Sequence, residues 1–434
     1  MKKVNLLGSL CIIVGSMVGS GIFIAPKGVL RNSGNVGLSL IIWLATGIFS
    51  TFGALCYAEL GTCIKKSGAH YIYILETLGP MLAFLRLWAQ FILIRRQDIV
   101  KFIAPCWIQD LCPCHFISHI YLITSSFLHL CLAFAVAVNC WSVTFTTRLQ
   151  IVLTTVKMGA LVLIIVPGMI KLASGKINMF FAVFSSCDIK FLHSKFLFLF
   201  FVFFRNIPLS IILSMITVII FYLLTNISYY TVMTSQEVLE SNAVAVTFAD
   251  RALQGFSSVI PVFVAVSCFG SLIGGCFSTP RMLFSGSREG QWPVLFSMIH
   301  IRRHTPLPAY PLMVFMILAG EIFGLINFYS FSRWMFTGLT TLGLIVHRYQ
   351  HPDLPRPFKV LVPLLIPAVY TVVCFFIVGM SLYSDPVNTG IGLALTLTGI
   401  PVYFLMVKKQ RLPLCFIRVY RKYSVFNVEF FVLT

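Results

Sequence analysis

Apolar residues fall along this chain in long runs, and the polar residues gather in short clusters between them. Wound as a helix, a run of about 20 residues matches the hydrocarbon thickness of a bilayer. Windows of that kind lie near 6–25, 38–59, 79–95, 116–140, 149–171, 207–231, 258–278, 310–327, 330–347, 361–383 and 389–407. Between the fifth and sixth lies 178–204, rich in Phe but interrupted by Asp188, Lys190, His193 and Lys195, which reads either as a twelfth span or as a defect. The pattern predicts an all-α integral membrane protein with about 12 transmembrane helices. A single transmembrane domain is expected over 1–407, followed by a short basic cytoplasmic tail at 408–434.

Composition agrees with that reading. The 434 residues are 58% hydrophobic and 10% charged, whereas soluble domains carry roughly a quarter charged residues. Most of the surface must therefore face lipid. A net charge of +19 might suggest a nucleic-acid partner, but the basic residues punctuate the apolar runs, which makes them a topology signal and argues for no nucleic acid. With Lys2 and Lys3 inside, Lys65, Lys66, Arg148, Arg205, Arg281, Arg288, Arg302, Arg303, Arg348, Arg356, Lys359, Lys408, Lys409 and Arg411 also fall inside, provided 178–204 crosses once. Both termini are then cytoplasmic. The thirteen cysteines form no regular framework, and Cys11, Cys56, Cys131, Cys140, Cys268, Cys276 and Cys374, within apolar runs, read as packing residues.

Candidate chemistry starts in the first span, at Gly15-Ser16-Met17-Val18-Gly19-Ser20-Gly21-Ile22-Phe23. Glycine costs about 1 kcal/mol per helical position, so its density at membrane depth argues for a helix that opens. Gly15, Gly19, Gly21 and Pro26 also argue for a retained, broken span rather than a cleaved signal peptide. Freed backbone groups are tolerated in lipid only where they line a cavity or meet a ligand. A free amino acid's carboxylate and ammonium need those two kinds of group. The plainer alternative is close helix packing through small residues.

Three cations lie in or beside apolar runs. Arg95 ends one that begins near Met81, and Arg333 lies within 327–345. Intramembrane guanidiniums usually face a cavity or counter-ion, and two of them suit a substrate with a carboxylate beyond the α-carboxylate. Snorkelling to the interface is the alternative, more so for Arg95 beside Arg96. Lys157 has no acidic residue near it in sequence, so its ammonium either replaces a bound sodium ion or snorkels toward the edge near Arg148. Cys106, Cys112, Cys114, His115 and His119 form a metal-like cluster without a second half. In an extracellular loop, a cysteine there is better read as pairing with another chain. No metal and no cofactor are expected. Asn226-Ile227-Ser228 is a glycosylation sequon inside an apolar run and is assigned no sugar.

Read together, Gly19-Ser20-Gly21-Ile22-Phe23, Pro26-Lys27-Gly28-Val29-Leu30 and Tyr57-Ala58-Glu59-Leu60-Gly61 resemble the light chains of the heteromeric amino acid transporters, in the amino acid, polyamine and organocation superfamily. Ser241-Asn242-Ala243-Val244, Ser287-Arg288-Glu289-Gly290 and His304-Thr305-Pro306-Leu307-Pro308-Ala309 look most like the cystine/glutamate type. The resemblance implies an inverted repeat of five plus five helices and two more, with substrate held at broken helices. It implies substrate contacts at Gly19, Ser20, Gly21, Ile22, Arg95 and Arg333, and Lys157 at the position where sodium-coupled relatives bind sodium. It further implies a glycoprotein heavy chain joined by a disulfide, for which Cys112 is the nearest match and Cys106 and Cys114 remain open. Where the family carries its broken sixth helix, this chain has 178–204, so the sixth helix is expected to be atypical or missing.

The expected function is sodium-independent exchange of anionic cystine for glutamate at the plasma membrane, with no enzymatic step. The rivals are an exchanger of neutral or dibasic amino acids, and a transport-deficient light chain that still binds the heavy chain. A membrane enzyme is disfavoured because no paired acid and base lies in a span.

Overall fold

The computed structural model describes residues 6–19, 21–64, 66–94, 130–174, 206–241, 243–252, 259–298, 305, 326–358, 360 and 364–408. Every regular element among them is helical: α1 (Leu6–Met17), α2 (Gly21–Ser33), α3 (Val36–Cys63), α4 (His70–Leu78), α5 (Pro80–Ile94), α6 (Leu130–Trp141), α7 (Val143–Ala173), α8 (Asn206–Val232), α9 (Ser235–Glu240), α10 (Val244–Ala252), α11 (Val259–Arg288), α12 (Ile326–Gln350), α13 (Leu365–Ser384), α14 (Pro386–Leu397) and α15 (Gly399–Val402). A short 3₁₀ turn spans Val294–Ser297, and a π-helical turn, Tyr403–Lys408, follows α15. Among the described residues, six stretches are long and apolar enough to cross a membrane: α3, α7, most of α8, α11, α13, and Pro386–Leu405. Val152 and Ile170 on α7, and Val372 and Phe376 on α13, stay exposed. Apolar side chains turned outward on spans of that length suit lipid and not water. The molecule is an all-α, multi-pass membrane protein.

The ends of the helices follow local chemistry. After α2, Gly34 takes a φ of +69° and its N–H bonds the Leu30 carbonyl at 2.9 Å, a stop that a side chain would resist. Asn35 then opens α3 by accepting the Gly37 N–H at 2.9 Å. Thr234 and Glu237 cap α9 reciprocally. Asp385 caps α14, with Pro386 in the first turn.

The chain divides into two compact units. The first comprises 1–58, 98–131 and 147–274. Its core gathers Val14 of α1 and Val18 just beyond it, Ile22 and Phe23 of α2, Leu161 and Ile164 of α7, Tyr229 of α8, Phe248 of α10 and Cys268 of α11. The second comprises 59–97, 132–146 and 275–434. There Tyr71, Ile72 and Ile74 of α4 pack with Ala83, Leu85 and Leu87 of α5 and Phe336 of α12. The Trp88 indole N–H reaches Thr398 Oγ1 at 3.0 Å.

The first apolar window is two helices, as its glycines predict. The window at 258–278 continues ten residues further, to Arg288. The connections at 60–78 and 232–257 contain α4, α9 and α10, which no apolar window covers. The seven cysteines expected to be packing residues are buried or half-buried. Asn226 is fully buried, as expected of a sequon without sugar. The segments 116–129, 178–204 and 310–325 lie outside the described residues.

Gly168 on α7 meets α8 closely: a Cβ there would lie 2.7 Å from Ser228 Cα. Gly159, on the same helix, has nothing within 4 Å of that position. Gly168→Ala should therefore cost about 1–3 kcal/mol by overpacking, exceeding the gain of roughly 1 kcal/mol in helix propensity. Gly159→Ala should leave stability unchanged or raised. Thermal unfolding of the two variants in detergent checks the pair.

Candidate functional site

α1 stops at Met17, where an apolar run continues through glycine. Its last turn closes with Val18 N–H bonding the Val14 carbonyl at 2.8 Å; Val18 and Gly19 are not helical, and α2 starts at Gly21. The final carbonyls of a helix have no partners within it. In water they would be hydrated; inside a membrane protein something else must reach them.

Lys157 of α7 does so. Its Nζ donates to the carbonyls of Gly15 and Val18, each at 2.9 Å, and to Ser271 Oγ of α11 at 3.0 Å. Ser271 passes its own proton to the Ser267 carbonyl at 3.1 Å. The lysine is fully buried, which rules out snorkelling, and no carboxylate among the described residues pairs with it. The ammonium instead faces the negative end of the α1 dipole, where a cation is favoured. Three donors meet three oxygens, so the charge is hydrogen-bonded throughout.

The packing that brings Lys157 here needs two glycines. A Cβ at Gly270 would stand 2.9 Å from Lys157 Cε. One at Gly15 would run into Thr154 Oγ1, on the turn of α7 before the lysine. Gly15 is thus both a packing residue and the donor of a carbonyl, which joins the two readings of the glycine-dense stretch.

Tyr222 of α8 reaches the break by its hydroxyl. It donates to the Met17 carbonyl at 3.2 Å, so its oxygen is tied to the last turn of α1 at the interruption. Its ring rests edge-on against Trp43 of α3, with centroids 5.7 Å apart. Neither Tyr222 nor Ser271 stands out in the sequence, because a tyrosine or serine in an apolar run more often signals packing than a ligand.

On the far side of the break, α2 presents its N-terminal amides, a turn of free N–H donors suited to a carboxylate. Gly21 is exposed with nothing within 4 Å of where a Cβ would sit. Gly19 is half-buried, and a Cβ there would meet only Ser271 Oγ, at 3.7 Å. Ile22 is buried beside Phe23 in the core of the first unit.

Of the residues expected to form the site, Gly19, Gly21 and Ile22 lie at the break, and Lys157 is bonded to it. Arg333 belongs to the second unit, on α12, where it is exposed. Ser20, Arg95, Cys106, Cys112, Cys114, His115 and His119 lie outside the described residues.

Residues 4–406 match the amino acid permease family. The human (Homo sapiens) cystine/glutamate transporter is 44% identical across 95% of this chain and 86% of its own length. The large neutral amino acids transporter small subunit 2 of Mus musculus is 40% identical over 96% of the chain and 83% of its length. The Asc-type amino acid transporter 1 of Mus musculus is 38% identical over 95% and 83%.

Removing the Tyr222 hydroxyl leaves the Met17 carbonyl without that partner. Tyr222→Phe should lower unfolding stability by about 1–3 kcal/mol. A thermal midpoint equal to that of the parent chain would mean that the hydroxyl does not hold the break.

Proposed function

Because the chain belongs to the amino acid permease family, we propose that it is the transporting subunit of a sodium-independent amino acid antiporter, exchanging anionic cystine for glutamate across the plasma membrane. One observation carries the sodium independence: the Lys157 ammonium occupies the pair of carbonyls that the break in α1 frees, and a fixed cation there leaves nothing for a sodium ion to coordinate. The anionic preference is supported by the 44% identity to the cystine/glutamate transporter and by the exposed guanidinium of Arg333 on α12.

In this reading Gly19, Ser20, Gly21 and Ile22 hold the substrate's α-carboxylate and α-ammonium through backbone groups. Arg95 and Arg333 are the candidates for its further carboxylate, since a guanidinium makes paired hydrogen bonds to a carboxylate. The N-terminal end of α2 supplies positive potential without a mobile ion. No bond is made or broken in the substrate. Exchange comes from unequal binding by two conformations of the carrier, because a ligand shifts an equilibrium only by its difference in affinity for the two states. A single-span glycoprotein heavy chain is the proposed partner, joined through Cys112, with Cys106 and Cys114 as alternatives. Both termini are cytoplasmic, and 408–434 forms the basic tail.

The test is uptake of labelled cystine in sodium-free medium by cells making this chain and a heavy chain, with excess glutamate as competitor. Uptake should be glutamate-sensitive and unchanged by sodium. Arg333→Ala should reduce it by about 10-fold or more, the loss expected when a charged hydrogen bond worth about 1.5–3 kcal/mol is removed. If Arg333→Ala spares transport, the substrate is a neutral or dibasic amino acid. Surface protein without uptake would leave only a role in binding the heavy chain.

A further inference from the structure

In the second unit, the last turns of α3 carry a fully buried carboxylate, Glu59. Arg348, in the final turn of α12, donates to both of its oxygens, from Nε at 2.9 Å and from Nη2 at 2.5 Å. Arg356, in the connection after α12, adds Nη1 at 3.3 Å, and the Val360 backbone N–H adds a fourth bond at 3.0 Å. The carboxylate is saturated, but among the described side chains bonded together here the charges do not cancel. Two guanidiniums, with side chains 10% and 8% exposed, stand against one carboxylate. Arg356 Nη2 turns to the carbonyls of His347 and His351, at 3.4 and 3.1 Å. Those dipoles at the C-terminal end of α12 offset a fraction of one charge and no more. Glu76, a neighbouring acid, is paired with Lys66 at 2.6 Å on the partly exposed rim and contributes no net charge.

The surplus has a location. Arg348 Nη1 is buried and makes no hydrogen bond among the described residues. A guanidinium edge removed from water without an acceptor is costly, and an excess buried charge more so. We propose that this edge of Arg348 holds a small monovalent inorganic anion, chloride in ordinary salt, which balances the node and fixes the connection between α12 and α13. One surplus positive charge calls for one negative charge. The slight exposure of both arginines suits a compact ion over a phosphate or sulfate, whose second charge would overshoot.

Thermal unfolding of the full chain tests the site, with chloride titrated against gluconate at fixed ionic strength and N-methylglucamine as the cation. The melting temperature should rise with chloride and saturate, and bromide and nitrate should substitute where sulfate does not. Arg356→Gln removes the surplus charge and should abolish the chloride response. Glu59→Gln doubles the surplus and should steepen it, which keeps the test decisive if Arg356→Gln folds poorly. A chloride response in Arg356→Gln equal to that of the parent chain, or no saturable response in the parent chain, would overturn the proposal and leave water as the partner of Arg348. None of these readouts depends on transport.

Discussion

An interrupted helix inside a membrane protein leaves carbonyls that neither the helix nor lipid can satisfy, and here one lysine ammonium meets two of them. The Lys157 bonds to Gly15 and Val18 connect α7 to the end of α1, and the bond to Ser271 brings in α11. Three helices distant in sequence thus meet at one nitrogen. The cation also answers the negative end of the α1 dipole, so the break is stabilised by a fixed charge. Everything proposed about substrate binding presupposes that α1 ends and α2 starts where they do.

The surrounding packing depends on that contact in turn. Gly15 and Gly270 admit Thr154 and the lysine stem, and any larger residue at either position would push α7 away. Tyr222 holds the end of α1 through the Met17 carbonyl, steadied by Trp43. Between these two anchors the backbone at Val18 and Gly19 keeps a non-helical course while Val14, Val18, Ile22 and Phe23 remain in one core. The same economy appears in the second unit, where buried polar groups are bonded to other segments: Glu59 gathers α3, α12 and the connection that follows it.

Much of this is legible in the residue pattern, and the exceptions have physical causes. Glycine at positions 15, 19 and 21 of an apolar run marks the opening, because so many such residues in a short stretch weaken the helix there. Long apolar runs mark α3, α7, α8, α11 and α13 for the same reason that lipid requires them. α4 escapes because Lys65, Lys66, His70 and Glu76 make its surroundings look like a loop, although Tyr71, Ile72 and Ile74 form a buried face. Tyr222 escapes because its ring belongs to an apolar helix whether or not its hydroxyl has work to do. Arg348 and Arg356 register as inside-loop charges, and their burial on Glu59 rests on a contact across 289 and 297 positions that spacing cannot reveal. Lys157 is ambiguous in sequence between an edge cation and an ion substitute, and its burial against α1 removes the edge reading.

The most direct test of the account is thermal unfolding of the parent chain and of Lys157→Ala, each with and without sodium. The parent chain should be indifferent to sodium, and the variant should lose on the order of 3 kcal/mol or more, because two carbonyls and a serine lose a charged donor. A variant as stable as the parent chain, or a parent chain that sodium stabilises, would contradict the claim that the lysine stands in for an ion at the break.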